Sequence, residues 1–71
     1  MKRLTATTPV GVFSRRTHRD YQYVIVGVMA AGHYVYRWSG SLRTAEQGVK
    51  EATGYGYTVA GIYPVDGTVQ S

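Results

Sequence analysis

Two histidines and four carboxylates are the side chains in this sequence that could carry acid–base or metal chemistry. His18 and Asp20 stand two apart, a spacing that would put them on one strand face, and His33 lies beyond the following turn. A catalytic pair needs a nucleophile within reach of its base, and a metal site needs several ligands at short fixed spacing. Neither pattern is present, and there is no cysteine to add a thiolate. These residues read as turn and strand-edge positions. The expectation is a protein that is not an enzyme, with no catalytic residues, no metal and no cofactor. Gly54-Tyr55-Gly56 is no phosphate loop, because it follows a predicted helix, whereas phosphate-cradling glycines precede one.

A second set of residues points to binding. Arg15-Arg16-Thr17-His18-Arg19 is a compact basic cluster. The net charge of +4 sits wholly in residues 1–20, since the cations and acids of the remainder cancel. Such asymmetry suits contact with an acidic partner. Aromatic residues follow: Tyr21, Tyr23, Tyr34, Tyr36, Trp38 and Tyr63 all fall on predicted strands. Rings on a sheet beside arginines can stack bases while the guanidinium groups neutralise phosphates. The same rings can form a protein interface, with arginines on its rim.

The elements that position these groups are legible from periodicity. Residues 1–9 are threonine-rich and charged, and read as a poorly ordered arm. Val10 to Phe13 could add a short strand, weakened by Gly11. Tyr21 to Met29 is rich in tyrosine, valine and isoleucine and apolar on both alternating faces, as a central strand is. Ala30-Ala31-Gly32 makes a turn, and His33 to Ser39 alternates strictly as the second strand. Leu42, Ala45, Val49 and Ala52 recur at helical spacing, with Ser41 or Thr44 as cap and Gly54 as the C-terminal glycine. Interior Gly48 suggests close packing on the sheet. Tyr57 to Val65 is the last strand.

The spacing therefore predicts an α+β fold of topology ββαβ. Its three-stranded antiparallel sheet has the order 2-1-3, with one helix on one face and a basic N-terminal arm. Residues 1–20 form the arm, 21–66 the single domain and 67–71 a C-terminal tail. One short helix covers only one sheet face, so the other needs a cover: another subunit, a partner, the folded-back N-terminal segment or stacked bases.

Seventy-one residues also limit what the chain can do alone. Roughly fifty ordered residues at about 1.5 kcal/mol each cost near 75 kcal/mol, which about 3,000 Å² of apolar burial offsets at ~25 cal/mol per Å². Self-association or partner binding is the expected consequence. The longest apolar run, Tyr23 to Gly32, is too short to span a bilayer, and no apolar core follows Met1-Lys2-Arg3. A cytoplasmic protein without membrane contact is expected.

The motifs Arg16-Thr17-His18-Arg19-Asp20-Tyr21, Val24-Ile25-Val26, Trp38-Ser39-Gly40-Ser41 and Tyr63-Pro64-Val65 resemble a loose group of small proteins of high-GC Gram-positive bacteria and their phages. The resemblance covers about residues 15–65 and implies an accessory protein, with no chemistry to carry over. Trp38 to Ala52 is also similar to the strand-to-helix step of plant-type DNA-binding domains that read the major groove with a three-stranded sheet. The strand after the helix departs from that family.

Two functions follow as expectations. The first is a phage-encoded accessory protein, non-enzymatic and self-associating, acting by protein contact through the open aromatic sheet face. The second is a DNA- or RNA-binding accessory protein, with Arg15, Arg16 and Arg19 on phosphates and the sheet aromatics stacking on bases.

Overall fold

The computed structural model describes residues 2–67. Met1 at the start of the expected arm and residues 68–71 of the expected tail lie outside them. The fold is α+β: β1 (Lys2–Thr8), β2 (Gly11–Thr17), β3 (Tyr23–Met29), β4 (Gly32–Ser39), α1 (Leu42–Gly54) and β5 (Thr58–Pro64). Its strands form two antiparallel sheets, a pair β1-β2 and a triplet in the order β4-β3-β5. The fold is thus more than one three-stranded sheet, because the residues expected as an arm form a hairpin of their own.

That hairpin has a local cause. Leu4 and Ala6 alternate with β-branched threonines, which suit a pleated strand. Pro9 presets the turn, the Thr8 hydroxyl donates to the Gly11 carbonyl at 2.7 Å, and Val10 N–H donates back to Thr8 Oγ1 at 3.2 Å. Ala6 pairs with Phe13, and both pack toward the larger sheet.

β3 is central and antiparallel to both neighbours, and Val24, Ile25 and Val26 are fully buried. Each neighbour carries one extra residue, Tyr36 on β4 and Ala60 on β5, where the register shifts beside Val26. Such bulges bend a strand and increase its twist. Gly32 (φ 134°) closes the β3–β4 turn.

Ser41, not Thr44, caps α1: Thr44 N–H donates to Ser41 Oγ at 3.2 Å. Gly54 stays helical, and the left-handed residue past the end is Gly56 (φ 88°). The buried face of the helix is Ala45, Gly48 and Ala52, while Leu42 is exposed. A Cβ on Gly48 would lie 2.6 Å from Ile25 Cδ1, so the missing side chain lets α1 settle on β3.

The opposite face of the sheet is not open. Val24 and Val26 form a core with Ala6, and Val10, Phe13, Val35, Trp38 and Tyr63 pack around it. Of the covers expected for this face, the folded-back N-terminal segment is the one that fills it, and the face is not exposed to a partner. Nor do the sheet aromatics share one face. Tyr34 lies opposite Gly27 on the helix side, where a Cβ at Gly27 would be 2.6 Å from its ring, whereas Trp38 and Tyr63 pack with the hairpin.

The hairpin is tied down along one side. Asp66 N–H donates to the Thr5 carbonyl at 2.8 Å, and the Asp66 carboxylate accepts from Thr7 N–H and Oγ1 at 3.0 and 2.9 Å. Lys2 and Asp20 form an ion pair nearby. β1 thus lies beside the end of β5, while β2 turns Arg15 toward Tyr21 and, through that ring, Trp38 of β4, a strand to which it is not hydrogen-bonded.

Candidate functional site

The site forms where β2 and β4 fail to join. At the end of β2, Thr17 is buried and its hydroxyl accepts Arg19 N–H at 3.0 Å, which turns the chain and sets the position of Arg19. Arg15 shares the sheet-facing side of β2 with Phe13, two residues away. Its guanidinium carbon lies 5.3 Å from the centroid of the Tyr21 ring, and that ring lies 6.4 Å from Trp38 at 43°. Arg37 stands 5.5 Å over the Tyr36 ring and also pairs with Glu51 at 3.0 Å. Guanidinium–ring contacts at exposed sites contribute about 0.5–1 kcal/mol each and hold both groups in place.

These groups line an open groove of about 660 Å³, completed by Val35, Ser39, Gly40 and Thr44. Three arginines and three aromatic rings face it, and among the described residues no carboxylate lines it. The N-terminus of α1 opens at one end through Gly40 and Thr44. The arrangement can hold an anion against the arginines and a flat, unsaturated group against the rings. Desolvation first, and then the Glu51 carboxylate, raise the Tyr36 phenol above its ordinary value of 10.0, against the pull of Arg37. Tyr36 therefore stays a neutral hydroxyl at physiological pH.

Of the residues expected to make contact, Arg15, Arg19, Tyr21, Tyr36 and Trp38 come together here. Arg16 does not, because it lies opposite Arg3 on the outer face of the hairpin. Tyr23, Tyr34 and Tyr63 lie outside the groove's lining. Sequence reasoning missed Arg37, Ser39, Gly40 and Thr44. The signal for Arg37 was its place between Tyr36 and Trp38, a cation interleaved with rings.

His18 and His33 are exposed, and His33 sits at the start of β4 opposite Val28. Among the described residues no group of three or more histidines and acids could hold a metal ion. A second groove of about 450 Å³ includes Asp20 and Asp66, but both carboxylates are engaged, by Lys2 and by Thr7. No helix among the described residues is long and apolar enough to cross a membrane.

Compared with protein-family models, with curated proteins and with solved structures, the chain matches none. What the groove binds is read from its own residues.

Proposed function

We propose that this protein is a non-enzymatic accessory protein that binds single-stranded nucleic acid in the groove between β2 and β4. The observation that carries the reading is the convergence of Arg15 and Arg19, with the Glu51-paired Arg37, and of Tyr21, Tyr36 and Trp38 around one groove that no described carboxylate lines. Unpaired bases stack on such rings, each worth about 1–3 kcal/mol, and every base has a face to offer. The arginines neutralise backbone phosphates, so affinity falls with salt by a log–log slope of about 0.7 per phosphate of a single strand. A duplex hides its base faces and loses the stacking contribution.

Anisotropy of labelled single- and double-stranded DNA, titrated at about 50 and 200 mM salt, tests this. The expected result is single-strand binding that weakens steeply with salt and exceeds duplex binding. Absence of binding at the lower salt would sink the proposal.

A protein interface is the second reading, and it rests on different residues. The hairpin removes its original basis, the open sheet face, but β4 and β5 are both edge strands. Tyr55 and Tyr57 are exposed beside the end of the helix, with their ring centroids 6.4 Å apart. Self-association through an edge would change the oligomer size, measured by light scattering, and reversing the groove arginines would leave that size unaltered.

A further inference from the structure

Ser39 departs from the rule that buried polar groups find partners. It is 2% exposed, and its hydroxyl makes no hydrogen bond, although its carbonyl accepts Gln22 N–H at 2.9 Å. An unpaired buried hydroxyl is destabilising, and each one calls for a reason, a functional partner among them. Ser39 lines the groove, two residues before the cap of α1.

The helix start departs from a second rule. Its positive end favours acidic side chains, yet the first turn holds none, and its second residue is Arg43. Ser41 Oγ accepts Thr44 N–H, and the first intrahelical bond runs from Ala45 N–H to the Ser41 carbonyl. Leu42 and Arg43 N–H precede that bond and have no intrahelical acceptor. Gly40 leaves the approach clear, since a Cβ there would meet nothing within 4 Å. An orphan hydroxyl, open backbone donors and a cation against the dipole all ask for the same thing, an anion.

We propose that the N-terminus of α1 with Ser39 and Arg43 is a phosphate subsite of the groove. It takes the oxygens of a phosphate ester carried by the strand whose bases stack on Tyr21 and Trp38, and so rests on the nucleic-acid reading. The phosphate supplies the acceptor that the Ser39 hydroxyl lacks, and it offsets the Arg43 charge that stands against the helix dipole. Either an internal phosphodiester or a terminal phosphate has this chemistry.

The test follows backbone amide signals of the full chain during titration with inorganic phosphate, a 5′-phosphorylated oligothymidylate and its 5′-hydroxyl counterpart. The amides of Gly40, Leu42 and Arg43 are expected to move with all three. Ser39→Ala removes an unpaired polar atom, so its melting temperature should equal or exceed that of the parent, while oligonucleotide affinity falls roughly tenfold. Arg43→Glu, which suits the helix dipole, should show the same opposition of stability and binding. Tighter binding of the 5′-phosphorylated strand identifies a terminal phosphate, and equal binding identifies an internal one. If the oligonucleotide binds while these amides stay still and Ser39→Ala binds as the parent does, the subsite is wrong and the broader function stands. If phosphate moves the amides and no oligonucleotide binds, the subsite stands and the nucleic-acid reading falls. Silence of the amides toward all three ligands overturns the subsite.

Discussion

The two sides of the hairpin are built on opposite terms. On the β1 side, Asp66 reaches across from the end of β5 and joins Thr5 and Thr7 by three hydrogen bonds. On the β2 side no hydrogen bond joins the hairpin to β4, and arginines and rings line the gap instead. One side satisfies its polar groups internally, and the other presents them outward. In so small a domain the closed side holds the hairpin over the core, and that leaves the open side available to bind. Stability and binding should therefore separate along this line.

The largest expected effect lies on the open side. Reversing Arg15 and Arg19 to glutamate should lower single-strand affinity by at least about tenfold per charge and reduce the salt slope by about 0.7 for each. The melting temperature should fall by a few degrees at most, because neither side chain is buried. What is lost is the exposed Arg15–Tyr21 contact, worth about 0.5–1 kcal/mol. Arg16→Glu is the control, since Arg16 faces away beside Arg3 and should change affinity by less than about threefold. Equal losses at Arg15 and Arg16 would mean that charge alone, and not the groove, governs binding.

Next is the sheet itself, which both sides depend on. Gly27→Val would drive a Cβ to within 2.6 Å of the Tyr34 ring before that ring moves. Overpacking of this kind costs about 1–3 kcal/mol, a drop in melting temperature of about 4–8 °C for each kcal/mol. Because Tyr34 is half-buried and can shift, Tyr34→Ala in the same chain should recover part of the loss. Additive losses in the double variant would show that the ring is not the obstacle.

On the closed side, Asp66→Ala removes two acceptor contacts at an exposed position and should cost about 1 kcal/mol. Asp66→Asn, which can still accept Thr7 N–H, should retain most of the stability. Amide exchange at Thr7 should quicken in the alanine variant, and affinity for a single strand should not change. A loss of binding on opening this side would join the two regions that the structure separates.

The central sheet was legible because its signals are strong and local. Val24, Ile25 and Val26 are apolar on both faces, and a crossover of ordinary length sets the order of their neighbours. The hairpin was not, because Leu4 and Ala6 are small signals among threonines and charges. Their burial depends on a sheet more than fifteen residues away in sequence. The site was half legible for the same reason. Arginines and tyrosines can be counted in a sequence, but which of them face one another depends on strand parity. Parity separates Arg15 from its neighbour Arg16, and the Thr17 hydroxyl brings Arg19 back to the groove. Tyr23, Tyr34 and Tyr63 were drawn in by type alone.

The smallest effect concerns Tyr36, whose ring sits between the groove and the Tyr57 ring, 5.7 Å away. Desolvation and Glu51 raise its phenol above 10.0, so the folded chain favours the protonated form more than the unfolded chain does. The resulting stabilisation is fully present below the ordinary tyrosine value and is lost as pH rises through the folded one. Melting temperatures of the parent and of Tyr36→Phe, compared across alkaline pH, should diverge there. The parent should fall more steeply with pH. Parallel curves would mean that Tyr36 ionises as easily in the folded chain as in the unfolded one. The groove would then gain a negative charge as early as any free tyrosine does. With the phenol held neutral instead, the positive field of Arg15 and Arg19 is not offset by Tyr36 above physiological pH. Single-strand affinity should accordingly show no loss from Tyr36 ionisation between about pH 7 and 9.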